Sequence, residues 1–170
     1  MTKISADTVE DFMDKANAKF GGSNLGETDA KPSFKYGSFK DGKVLKLEIS
    51  CPIDLDYAEM GSGKPDDEGK KAIAAVADIA KAHELSHKAG YEKAFKDFDA
   101  KKTAKDIMDK TFKNKGEADK AIHQAFSELK KALLDACLAL HKKEGIVEVT
   151  KQANGSYKIV QKPAGATGCS

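Results

Sequence analysis

The sequence predicts an α+β domain, and three observations carry that expectation. Residues 117–143 hold a continuous apolar stripe at helical spacing: Ile122, Phe126, Leu129, Leu133, Ala136 and Leu140. Residues 66–98 hold a second, longer stripe of the same period. Two dipeptides with strong hairpin chemistry, Asp41-Gly42 and Asn154-Gly155, each lie between short segments of alternating polarity. An isolated two-stranded hairpin is marginal in water. The economical arrangement therefore joins both hairpins into one small antiparallel sheet, packed against a layer of four to five helices. The alternative is a helical bundle with the hairpins as separate flaps. Residues 1–163 are expected to form a single domain, with 164–170 as a flexible C-terminal tail.

In chain order, Val9, Phe12, Met13, Ala16 and Phe20 predict a helix over 5–20, stopped by Gly21-Gly22. The polar stretch up to Ser33 reads as a loop. Phe34 to Ile53 reads as the first hairpin: Leu45, Leu47, Ile49 and Cys51 alternate with polar residues, and Pro52 ends it. The segment from Pro52 to Glu68 reads as an acidic loop. Its Gly61-Ser62-Gly63-Lys64 lacks the upstream glycine of a phosphate-binding loop, and Pro65 stands where the metal-binding hydroxyl should be. Its Asp54 and Asp56 do not extend to a calcium loop.

Pro65 and the acids Asp66, Asp67 and Glu68 suit the start of the 66–98 helix, whose positive end they face. Gly90 is a candidate break within it. A short helix capped by Thr103 follows. Helix 117–143 ends in Lys142 and Lys143, favourable at the negative end of the dipole, and Gly145 stops it. The second hairpin runs over 146–151 and 157–161.

Composition limits the function classes. The formal charge is +2, with 29 basic residues that are all Lys. Without Arg, which grips phosphates and guanine edges bidentately, nucleic-acid reading is disfavoured. No apolar run is long enough to span a membrane, and the first residues lack a signal-peptide core. A cytoplasmic location is expected, with export by a signal-independent route as the alternative. Three cysteines, Cys51, Cys137 and Cys169, give no close pair and an odd count, which argues against a disulfide framework. Cys137 reads as a core thiol, and Cys169 as part of a loose terminus able to form an intermolecular disulfide.

One chemical motif stands out. His83-Glu84-Leu85-Ser86-His87 is an HExxH pattern within the 66–98 helix. Residues i and i+4 lie one above the other on a helix, so two imidazoles can grip one zinc ion. Glu84 would then act as general base on zinc-bound water. Over these five residues the chain resembles the zincin metalloproteases. It departs from them in Lys81 and Lys88, charged where that family is uncharged. It departs also in Lys93, which stands where the longer metzincin motif has a third His. The third ligand must come from downstream, from Glu117, Asp119, His123, Glu128 or His141. His123 borders the core stripe and is the best placed of these, so the expected metal set is His83, His87 and His123. Glu84 falls inside the apolar stripe, where an unpaired carboxylate is costly.

The leading expectation is a small soluble interaction domain without catalysis or cofactor, binding another protein, with a homo-oligomer also compatible. The alternative is a zinc-dependent, peptidase-like hydrolase built on His83, Glu84 and His87.

Overall fold

The computed structural model describes residues 1–166, 168 and 169. The chain is α+β and divides into two compact units. The first comprises Met1–Asp29, Asp54–Lys88 and Cys137–Ser170; the second comprises Ala30–Ile53 and Ala89–Ala136.

The first unit is built on a sheet in the order β1-β7-β2. Strand β1 (Thr2–Ile4) runs parallel to β7 (Ile53–Met60), in the register Thr2 to Ala58. Strand β2 (Gly26–Ala30) lies on the other side of β7. Helix α1 (Val9–Phe20) starts at Thr8, whose hydroxyl accepts from the Asp11 amide, with Glu10 and Asp11 against the dipole. It buries Val9, Phe12 and Ala16. These meet Ile4, Leu25 and Ala58 from the sheet region, and Ala72, Ile73, Val76 and Ala80 from helix α2 (Asp67–Phe98). The C-terminal hairpin, β8 (Gly145–Lys151) with β9 (Tyr157–Pro163), packs Val147, Val149, Tyr157 and Ile159 on the same core.

In the second unit, β3 (Ser33–Tyr36) pairs antiparallel with β6 (Leu47–Ser50). Strands β4 (Phe39–Lys40) and β5 (Lys43–Val44) close the same excursion through an Asp41-Gly42 turn in which both residues have positive φ. Helix α3 (Ala100–Asp109) is capped by Asp99, not by Thr103: the Asp99 carboxylate accepts from the Lys102 amide. Helix α4 (Lys115–His141) begins at Asn114, whose Oδ1 accepts from the Glu117 amide. Val44, Leu47, Ala104, Ile107, Ala118, Ile122 and Ala125 form this unit's core.

The expected architecture of one antiparallel sheet under one layer of four to five helices is not formed. The two hairpins do not pair with each other, and the sheet β1-β7-β2, which includes a parallel pair, draws β2 and most of β7 from segments that read as loops. The reason is physical. Strands β1 and β2 are three and five residues long and mostly polar, and β7 carries Asp54 and Asp56. Such segments have weak strand propensity alone and are held by their neighbours' backbone groups and by the one fully buried side chain, Ala58. The helices are shared between two cores rather than gathered in one layer.

Helix α2 is continuous through Gly90. A Cβ added there would meet only the Ala136 Cβ, at 3.8 Å, an ordinary contact. Gly90→Ala is therefore expected to raise stability by about 0.5–1 kcal/mol through lower unfolded-chain entropy. Urea unfolding checks this, and an unchanged or lowered midpoint would show that Gly90 has a packing role.

Candidate metal centre

The candidate site lies in the first unit. Helical geometry stacks His83 and His87 on one face of α2, and the last residue of α4, His141, meets them. The Nε2 atoms of His83 and His87 are 3.1 Å apart, and those of His87 and His141 are 2.9 Å apart. The His83 and His141 rings stack at 15°, with His87 edge-on to both. One donor nitrogen from each ring thus enters a space in which all three lie within 4.8 Å of one another. Nitrogen ligands around tetrahedral zinc are separated by about 3.3 Å, from bond lengths near 2.05 Å. These residues could therefore hold a metal ion with small adjustments.

The electrostatics favour the ligating, uncharged form. Burial depresses the basicity of His87, and the neighbouring His83 and His141 add to it, bringing its pKa down to about 3. His83 is lowered chiefly by burial and by His141, with Glu144 opposing. The Glu144 carboxylate lies just past the end of α4, 3.6 Å from Nδ1 of His83. A carboxylate behind a ligating imidazole orients the ring and raises its donor strength. Lys81, one of the charges that sets the motif apart from the zincins, reaches over the Tyr57 ring, 6.0 Å from its centroid.

The chain end completes the surroundings of His141. Its carbonyl accepts from the amides of Ala164 and Gly165, at 3.0 and 3.3 Å. Its Nδ1 lies 3.3 Å from Sγ of Cys169, and Cys169 is disulfide-bonded to Cys137. This corrects the expectation of a core thiol at Cys137 and of no intrachain bridge. Sequence spacing did not reveal the pair because its members are 32 residues apart and are brought together by the return of the chain to the end of α4.

His123 is not one of the three convergent rings. It stands edge-on to Phe34 in the second unit, with centroids 5.6 Å apart. Three other ligand candidates have local work: Glu117 accepts from the Lys113 amide, Asp119 from the Tyr36 hydroxyl, and Glu128 from the Gln124 side chain. His141 was among the sequence candidates, and the structure brings its ring to His83 and His87.

Glu84 takes a different direction. It is buried against β2, and Oε2 lies 2.7 Å from the Thr28 hydroxyl, which is also 3.0 Å from the Glu84 carbonyl. The Thr28 hydroxyl donates toward both oxygens, and its contact with the carboxylate favours the ionised form. The carboxyl fits because Gly26 has no side chain: a Cβ there would sit 2.5 Å from Glu84 Cγ. Burial pushes the Glu84 pKa up to about 7, against the lowering effect of the Thr28 hydrogen bond, with Glu27 adding to the rise.

In the metal-free protein these shifts act in opposite senses. The unfolded chain binds more protons than the folded one at His87 between pH 6.5 and about 3, so that contribution is lost as pH falls. At Glu84 the folded chain binds more protons between pH 4.5 and about 7, so that contribution is full below 4.5 and lost as pH rises. Glu84→Gln mimics the protonated carboxyl. The metal-free variant should exceed wild type at pH 8 by about 3 kcal/mol, with the gap closing toward pH 4.5. Urea unfolding at both pH values checks this; a gap independent of pH would contradict a raised Glu84 pKa.

Comparison with protein-family models, with curated proteins and with solved structures finds no match for this chain.

Proposed function

We propose that the protein is a zinc-binding protein in which His83, His87 and His141 together hold one ion. The observation that carries this reading is the convergence of three Nε2 atoms from two helices. The depressed basicity of His83 and His87 supports it, because metal ions compete with protons for the same lone pairs and these rings remain free of protons at neutral pH. Glu144, 3.6 Å behind His83 Nδ1, stands where a small shift would give the carboxylate–imidazole pairing common at zinc sites. Imidazole ligands suit zinc, and three of them leave a fourth position for water or for a group from another molecule.

A zinc hydrolase is the second reading, with Glu84 as general base. It is favoured by a carboxyl group with a pKa of about 7, the range in which a base works at neutral pH. In that mechanism Glu84 must exchange its Thr28 contact for the zinc-bound water. Protein docking, the leading expectation from the sequence, is a proposal with less support. It draws on single exposed apolar side chains such as Leu45, Leu85 and Leu134, and scattered ones need no partner.

Metal analysis after zinc loading and exhaustive dialysis at pH 7.5 tests the reading. Wild type and His123→Ala should retain one zinc per chain, and His87→Ala and His141→Ala should bind at least about 10-fold more weakly. A wild type that retains no zinc, or a His83→Ala/His87→Ala protein that retains all of it, contradicts the proposal. Glu84→Gln then separates the two readings. Under both it keeps zinc, but only a hydrolase loses peptide cleavage with it.

A further inference from the structure

His141 belongs to two clusters. Its Nε2 faces His87, while its Nδ1 faces the sulfur of Cys169. Cys137 lies one helical turn before it on α4, and the ligand atoms of Cys137, His141 and Cys169 also lie within 4.8 Å of one another. We propose that reduction of the Cys137–Cys169 disulfide creates a second zinc site, made of two thiolates and Nδ1 of His141, so that the disulfide is a redox gate on metal binding.

Three features of the structure support the gate. The sulfurs and Nδ1 are already gathered, so little reorganisation is needed once the bond opens. Residues Ala164 and Gly165 are held independently of the disulfide, by their amides on the His141 carbonyl. That tether keeps the freed Cys169 near Cys137. Finally, Cys137 is only 2% exposed while Cys169 is half-buried, so an incoming thiol meets Cys169 first.

The chemistry balances with a dithiol reductant. Its thiolate attacks Cys169 Sγ, the S–S bond breaks, and Cys137 leaves as thiolate. The second reductant thiol then closes on the mixed disulfide and releases Cys169, leaving the reductant as a cyclic disulfide. Two electrons and two protons have passed to the protein. Zinc then displaces the thiol protons, and the S₂N set suits zinc. A neutral imidazole has one lone-pair nitrogen. With the proton on Nδ1, facing sulfur, Nε2 serves the three-histidine set; with the proton on Nε2, Nδ1 ligates beside the thiolates. This competition for His141 rests on the proposed three-histidine site, whereas the thiolate site does not.

Cobalt(II) titration tests the gate, because sulfur ligation gives an intense near-ultraviolet charge-transfer absorption that nitrogen ligation lacks. The full chain carries Cys51→Ser, so that no third thiol contributes. After dithiol reduction and anaerobic removal of the reductant, the absorption should rise to one cobalt per chain and be absent from the oxidised protein. Adding Cys137→Ser/Cys169→Ser should abolish it, and His141→Ala should weaken cobalt binding at least about 10-fold. No charge-transfer band in the reduced protein overturns the proposal, as does a band that survives in the double serine variant. A reduced protein that has lost its folded circular dichroism spectrum overturns it too. Failure of the three-histidine reading would appear separately, as no metal bound by the oxidised form.

Discussion

Three imidazoles pressed nitrogen to nitrogen are the constraint on which the candidate site depends. With His87–His83 and His87–His141 contacts of 3.1 and 2.9 Å, the rings cannot all be protonated without strong repulsion in a space largely closed to water. Burial lowers the basicity of His83 and His87, which favours the uncharged state a metal requires. The same arrangement explains why the end of α4 is so heavily bonded. The His141 carbonyl takes two amides from the returning chain, its Nδ1 faces a sulfur, and Cys137 on the preceding turn is covalently joined to that sulfur.

Glu84 and His87 share a helix turn yet occupy opposite electrostatic situations. Both interrupt the apolar stripe of α2 and are desolvated, but desolvation strips the proton from an imidazole and leaves one on a carboxyl. Gly26 and Thr28 on β2 make the carboxyl's place: one by lacking a side chain, the other by giving it a hydroxyl partner. One strand of weak propensity thus has a defined task, and its pairing to β7 keeps it in position.

Much of this was legible from residue order. The stripes of Ile73, Val76 and Ala80 and of Ile122 and Leu129 marked two long helices, and Asp41-Gly42 and Asn154-Gly155 marked both hairpin turns. His83, Glu84 and His87 stood out because helical spacing is local. What was not legible depends on distant partners. Strands β1, β2 and β7 have no internal pattern strong enough to reveal them, since their stability comes from one another. His123 looked the better third ligand because it borders an apolar stripe, yet that stripe serves the second unit, where the ring meets Phe34. His141 and the Cys137–Cys169 bridge are products of chain return, which no local periodicity encodes.

In the proposed zinc site the ligands are the imidazoles of His83, His87 and His141, without His123. X-ray absorption at the zinc edge, on the oxidised, zinc-loaded protein, reads the ligands directly. The expected spectrum has three imidazole nitrogens and one oxygen at about 2.0–2.1 Å, with no sulfur at about 2.3 Å. A sulfur shell, or fewer than three imidazoles per zinc, would contradict it.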